Sequence, residues 1–562
     1  MQQLKEYIVT AKSYNELDDL CNDIESPGGN FYIPNRAVTV ANTRPVSRNT
    51  HYYLSDDEAE SLRHDPRVES VILLPEELGI KVIPHYTQTS INWDKSNIEF
   101  RNSHRNWGLY RCTIPQNITN WGSDGNLAVS GGINILATGK DVDVVIMDGH
   151  VDPSHPEFSV NEDGTGGSRV IQYNWYQNNL DVNGSPAGNY IYPPYVDVSD
   201  AGRTDDNNHG CHVAGTACGN TQGWARDAKI YNINPYSTNV NSGQSPVQLV
   251  DYVKVFHRKK AINPRTGKKN PTIVNMSFGF GLSWPLALVS SINYRGVNYA
   301  GPFTASQAWG YGVPIVKDTF TNIDYIYIPT RYSPIDADIA DAIAEGVIFV
   351  GAAGNQYAKV TTTLDIDYYN FLTFIDSNGT EYSFNYHRGP SPSAATDVVC
   401  VGAMGATTNQ QKTNFSNTGP RIDIWAPGEN IMSSVNNTDE GTYDYRNDNY
   451  FIEKYNGTSM ASPQVAGVLA CVLEVNPTWN QYSANEYITK TAKLNQVGED
   501  TSSTLYSNLK FLQGAPNRFL YFRQENQDIG MIFPKLNVGV QKSSGQLYPR
   551  QRIYSYGTQI QD

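Results

Sequence analysis

Cysteine is scarce in this chain. Six are scattered through 562 residues, so no disulfide framework is expected and most thiols should be free. Positive charge is also in deficit: 42 Lys and Arg against 56 Asp and Glu give a formal net charge of −14, which argues against a nucleic-acid partner. The one basic run, Arg258 to Lys269, follows a periodic stretch ending at Phe256. It reads as cations at a helix C-terminus running into a solvated loop. No apolar run approaches the length of a bilayer span, so no membrane partner is expected. Met1 to Glu6 has no signal-peptide core. The expectation is a cytoplasmic or particle-associated protein, long enough for one large core and one or two small domains.

What the chain does contain is more specific. Gly457-Thr458-Ser459-Met460-Ala461-Ser462-Pro463 precedes a run of small apolar residues, which puts a serine at the mouth of a buried helix. Unpaired N–H groups and a partial positive charge there would stabilise negative charge developing beside Ser459. Pro463 falls in the first turn, where few N–H partners are lost. Upstream, Val142 to Met147 reads as a buried strand that delivers Asp148 at its C-terminal end, where open parallel sheets place functional groups. Asn208-His209-Gly210-Cys211-His212 supplies a base, and Gly346 to Gly354 is a second apolar strand running into Asn355.

Together these segments resemble the subtilisin-like serine proteases. The order Asp148, His209, Ser459 is that family's order, and Ala461 breaks the Gly-x-Ser-x-Gly pattern of the alpha/beta-hydrolases. The resemblance spans roughly Trp107 to Tyr521 and includes Asn275-Met276-Ser277-Phe278-Gly279, Asn414-Phe415-Ser416-Asn417 and Trp425-Ala426-Pro427-Gly428. It implies an α/β fold with a doubly wound, mostly parallel sheet. It implies Ser459 as nucleophile, His209 as base and Asp148 as the group that holds the imidazole. Asn355 would help form the oxyanion hole. Ser277, Phe278 and Gly279, with Ala352, Ala353 and Gly354, would line the substrate cleft. No cofactor is needed for this chemistry. Structural calcium is known in the family, and Glu157 is the candidate ligand here. The expected partner is a protein or peptide substrate, cut through an acyl-enzyme. The rival expectation is a subtilase fold kept as a permanently capped or inactive structural component, and an esterase or ligase using the same triad is a third.

Three departures from the family pattern stand out. His150 follows the acid by two residues and should simply face solvent. Cys211 stands where threonine is usual and should be a small buried hydrophobe. His212 should be a structural residue of its helix. Two stretches, 282–335 and 357–394, read as insertions, the second with a hairpin around Asn378-Gly379.

Residues 1–80 carry their own pattern. Strands at Tyr7–Thr10, Val38–Val40, Tyr52–Leu54 and Val68–Leu73 alternate with two helices opened by Ser13-x-x-Glu16 and Ser55-x-x-Glu58. The order is that of a small split β-α-β, ferredoxin-like domain. It resembles the inhibitory propeptides of the same family, which implies that the N-terminal domain inhibits the protease in cis and that processing falls within a linker at 81–105. The catalytic region would then cover 106–523. The extension at 524–562 reads as an extended tail that could serve as an assembly contact.

Overall fold

The computed structural model describes residues 4–38, 41, 44, 46–75, 77–79, 81–84, 87–88, 106–113, 137–175, 207–236, 246–318, 320–376, 378–406, 410–435, 442–500, 511–522, 539–543 and 546–550. It divides into two compact units, 1–523 and 524–562. In the second, Gly539–Ser543 pairs antiparallel with Gln546–Arg550; Met531 to Pro534 lie outside the described residues.

The first unit is organised by a nine-stranded sheet. Its spatial order is Lys493–Leu494, Arg518–Phe519, Ile424–Pro427, Val399–Met404, Ile348–Ala352, Thr272–Met276, Asp143–Met147, Lys229–Ile233 and Val170–Ile171. Every pairing is parallel except that of Lys493–Leu494. The central strands are buried at every position, as expected of a parallel sheet covered on both faces. Val145, Met147, Val274, Met276 and Phe349 join a core with Val250 and Val253 of the helix Pro246–Lys259 and Ile335 and Ile339 of Ser333–Ala344. By alternation, Val144, Ile146, Ile273 and Ile348, equally buried, face the other way. There the helix Thr458–Val475 packs across four strands. That helix is long and apolar enough to cross a membrane, but 89% of it is buried inside the protein. The sequence reads this segment as a buried helix, and its apolarity is explained by that place in the core.

The two insertions are structured and interlocked. Val289–Tyr294 from the first pairs with Phe371–Ile375 from the second inside one four-stranded sheet. Another sheet continues the strand Phe278–Pro285 through Asp324–Pro329 to Ile315–Lys317. The basic run is held by partners: Lys260 Nζ lies 2.7 Å from Asp143, while Arg258 pairs with Glu345 and Arg265 with Asp141. Burial lowers the Lys260 pKa to about 8 against the opposing pull of Asp143.

The N-terminal domain has a three-stranded sheet, Asn49–Leu54, Lys5–Ala11 and Val68–Leu73, with helices Tyr14–Glu25 and Asp56–Arg63. Of the expected second strand, Val38–Val40, Val38 N donates to the His51 carbonyl at 2.8 Å beside an isolated bridge of Ala37 to Tyr52, and Thr39 and Val40 lie outside the described residues. The two capping boxes also differ. Ser55 accepts from Glu58 N at 3.3 Å and Glu58 reaches back to Ser55 N at 2.7 Å. Ser13 instead donates its hydroxyl to the Glu16 carboxylate at 2.8 Å, so its side chain caps no backbone N–H.

Candidate active site

Asp148 ends the central strand Asp143–Met147, and His209 sits in the first turn of the helix Asn207–Cys218. The two chains meet closely because Gly210 has no side chain: a Cβ there would come within 2.1 Å of the Gly149 carbonyl. His209 Nδ1 is 2.6 Å from Asp148 Oδ1, and both side chains are fully buried. Gly149 N donates to the same oxygen at 2.7 Å. Asn232 Nδ2 holds the loop by donating to the Gly149 carbonyl at 2.9 Å. The acceptor fixes the imidazole's orientation and its Nδ1–H tautomer.

Ser459 is the second residue of the helix Thr458–Val475 and is fully buried. Its hydroxyl donates to the Ser277 carbonyl at 3.0 Å, and the Ser277 hydroxyl donates to the Ser459 carbonyl at 2.9 Å. Asn275 ties the same two segments, accepting from the Ser462 hydroxyl at 2.7 Å and donating to Ser277 Oγ at 2.9 Å.

Asn355 follows the strand Ile348–Ala352. Its Oδ1 accepts from Thr458 N at 3.0 Å and from Thr458 Oγ1 at 2.9 Å. Thr458 Oγ1 also accepts from Gly354 N at 3.1 Å. The amide is thus oriented through its oxygen, while its Nδ2 is buried and meets no acceptor among the described residues. A buried donor without a partner costs about 1–3 kcal/mol. Sequence reading found Asn355 but missed Thr458 as its holder and Asn275 as the link between strand and helix. Both lie inside quoted motifs, and only their side-chain directions reveal those roles.

Ala352 ends the strand Ile348–Ala352 and Ala353 and Gly354 lead from it into Asn355, while Ser277, Phe278 and Gly279 follow the strand Thr272–Met276. This second group is already paired. Lys81–Pro84, from the segment after the N-terminal domain, lies antiparallel along it, with Phe278 opposite Pro84, Gly279 opposite Ile83 and Phe280 opposite Val82. Thr87 and Gln88 pair with Asn456 and Tyr455, the strand that runs into Gly457 and Ser459. The same segment therefore pairs both with the strand that follows Ser277 and with the strand that leads into Ser459.

The N-terminal domain is anchored on the helices Pro246–Lys259 and Ser333–Ala344. Ser47 Oγ and Asn49 Nδ2 donate to Asp338 at 2.7 and 2.8 Å, Arg48 Nε pairs with Asp341, and Val46 packs on Val255. Tyr332 OH donates to the Leu73 carbonyl at 3.0 Å. Burial, reinforced by Asp251 and opposed by Lys254, raises the Asp338 pKa well above the usual carboxylate range.

Three neighbours of Asp148 and His209 are placed differently from one another. His150 is only 3% exposed, so its expected solvent-facing position is not found; the loop after Asp148 folds against the helix that carries His209. Cys211 is fully buried and accepts from Asp152 N at 3.0 Å, in keeping with a small buried residue. His212 Nε2 is 2.8 Å from the Ile431 carbonyl and its ring stacks on Tyr455, centroids 4.5 Å apart. Burial pulls its pKa down to about 3, so it stays neutral as a structural residue.

Calcium does not fit at Glu157. Its oxygens accept from Thr221 N, Thr221 Oγ1 and Gln222 N, and Arg446 pairs with the same carboxylate. No group of three or more His, Cys, Asp or Glu side chains able to hold a metal ion occurs among the described residues.

A model of the subtilase family matches residues 139–515, more than half of the chain. A subtilisin of Bacillus pumilus is 24% identical over 357 residues, 63% of this chain and 85% of that protein. The subtilisin-like serine protease Pen c 2 of Penicillium citrinum is 27% identical over 289 residues, covering 51% and 44%. Cerevisin of Saccharomyces cerevisiae is 26% identical over 274 residues, covering 49% and 29%. The chain thus spans less than half the length of these two fungal relatives. Among solved structures, fervidolysin from Fervidobacterium pennivorans, described as a keratinolytic enzyme related to subtilisin, aligns with a TM-score of 0.50. It covers 96% of this chain and 62% of its own at 16% identity, a likeness of fold.

Proposed function

The chain belongs to the subtilase family, and from that premise we propose that it is a serine endopeptidase synthesised with its own inhibitor at the N-terminus. The observation that carries this reading is the dry Asp148–His209 pair at 2.6 Å, in a site where Asn355 Nδ2 is left unfilled beside the helix that begins at Thr458. A structural scaffold has no use for a buried, oriented donor without an acceptor.

In this mechanism Ser459 Oγ attacks a peptide carbonyl while His209 takes its proton. Asp148 keeps the imidazole in the Nδ1–H tautomer and stabilises the imidazolium that forms. The oxyanion is met by Asn355 Nδ2 and the Ser459 backbone N–H. His209 then protonates the leaving amine, and water hydrolyses the acyl-enzyme through the same base. Substrate adds a strand to the Ser277–Gly279 edge, with backbone pairing giving affinity and the Ala352–Gly354 segment closing the opposite wall.

Self-processing is part of the same proposal. The pairing of Lys81–Pro84 along this edge, and of Thr87 and Gln88 with the strand before Ser459, supports a cut in the interval from Pro84 to Thr87, within the linker at 81–105. The domain remains as a competitive cap after the cut, through its contacts with Ser333–Ala344.

Intact-mass analysis after treatment with a fluorophosphonate probe tests this, beside a Ser459→Ala control. The expected result is a probe adduct on a species cut between Pro84 and Thr87, with the control full-length and unlabelled. A full-length, unlabelled parent would favour the permanently capped scaffold.

A further inference from the structure

Glu157, Asp444 and Arg446 form a charge cluster that the proposed chemistry does not use. Glu157 is fully buried and Asp444 is 1% exposed, so two carboxylates have been withdrawn from water. Such a pair needs a cation. The nearest one is part of the chain: the Arg446 guanidinium bridges both carboxylates, with Nε 2.8 Å from Asp444 Oδ1 and Nη2 on Glu157. Arg446 Nη1 also donates to the Glu162 carbonyl at 3.2 Å. Although burial opposes ionisation of Glu157, Arg446 and the donors on Thr221 and Gln222 outweigh it, and its pKa is lowered.

The position of the cluster matters as much as its charge. Arg446 lies in the turn between Thr442–Asp444 and Asn447–Asn456, and the latter strand leads directly into Ser459. Glu157 lies on the loop that leaves Asp148. Its carbonyl accepts from Asn220 N at 2.9 Å, just beyond the helix that carries His209. The cluster therefore links three pieces of chain: Arg446 joins the strand that leads to Ser459 to the loop after Asp148, and Glu157 joins that loop to the chain just beyond the helix that carries His209. Gly219 makes room for the Glu157 side chain, since a Cβ there would lie 2.2 Å from Glu157 Oε2.

We propose that Arg446 is a tethered cation that takes the place of a bound metal ion at Glu157, so that this site is stabilised without calcium. The guanidinium satisfies two carboxylates through a planar fork of donors and does not deprotonate in proteins. A calcium ion would need six to eight oxygens at about 2.3–2.6 Å, and the Glu157 oxygens are already engaged. The corollary is that a neutral side chain at 446 opens an anionic pocket that takes up a divalent cation.

Thermal unfolding of the full chain in the Ser459→Ala background, free of self-digestion, tests the idea with calcium chloride or excess EDTA. The parent is expected to melt at the same temperature in both. In EDTA, Arg446→Met should melt about 5–10 °C lower. Calcium should restore part of that loss, and Glu157→Gln added to Arg446→Met should abolish the calcium response. If Arg446→Met does not fold, Arg446→Lys should melt below the parent with no calcium response. A parent stabilised by calcium through Glu157, an Arg446→Met variant indifferent to calcium, or a calcium-dependent Arg446→Lys variant would overturn the proposal.

Discussion

Asp148 and Glu157 are nine positions apart and both fully buried, but they have different partners. Asp148 faces the His209 imidazole, a group able to carry or release a proton. Around it the structure leaves capacity unused, most clearly at Asn355 Nδ2. Glu157 faces Arg446, which does not titrate, and its oxygens are filled by Thr221, Gln222 and the guanidinium. Equal burial has thus produced opposite designs. One carboxylate sits beside groups that must change state during a reaction, the other among groups that never do.

That contrast can be broken at either carboxylate. Changing Ser459 or His209 to Ala should lower kcat by about 10⁶, the loss seen for the matching residues of subtilisin, a relative of this chain. The melting temperature should hardly move, and hydrolysis of a peptide substrate alongside a melt would show the split. At the other carboxylate the pattern should invert. Glu157→Gln removes the carboxylate that Arg446, Thr221 and Gln222 contact, while Asp444 still pairs with Arg446, and should cost about 1–3 kcal/mol of stability. Activity per folded molecule should be retained, as active-site titration against a denaturation curve would reveal. A large fall in kcat for Glu157→Gln would erase the distinction.

The unfilled donor gives a sharper, smaller test. Asn355→Leu should lower kcat by about 10²–10³, a magnitude also taken from subtilisin, with KM nearly unchanged. A rise in KM alone would mean that Asn355 binds the ground state instead.

The smallest effect concerns a third buried carboxylate, Asp338, under Ser47 and Asn49. Asp251, Asp341, Lys254, Arg48 and Tyr14 surround it. Docking of the N-terminal domain adds to its burial, which raises its pKa, while the Ser47 hydroxyl that donates to it opposes the rise. The protonated form is therefore bound more tightly, and docking weakens as pH rises through the raised value. Retention of the cut N-terminal segment on the enzyme, followed by gel filtration, should fall a few-fold towards alkaline pH. Asp338→Asn should flatten that profile, and an unchanged profile would remove Asp338 from the latch.

Much of the site was legible because its parts are local. A buried strand ending in Asp148, a histidine before Gly210 and a serine before small apolar residues are each readable within ten positions. Arg446 was not, since its polar surroundings from Tyr443 to Asn449 carry no periodicity and its partner is 289 positions away. The Lys81–Pro84 strand was equally hidden: four residues read as linker become a strand only when an edge is offered to them. Ser13 and Ser55 show a further limit, because identical spacing yielded one closed capping box and one open one.

The spacing of the triad along the chain also sets a clock. Ser459 comes 250 positions after His209 and 311 after Asp148. Arg518–Phe519 must still arrive beside Ile424–Pro427 before that end of the sheet is finished. Contacts of such long range form slowly. The N-terminal domain, by contrast, closes its sheet within 73 residues and can fold while the rest is still being made. On the function proposed above, the inhibitor then exists during translation before there is anything to inhibit, and the ribosome carries no uncapped protease.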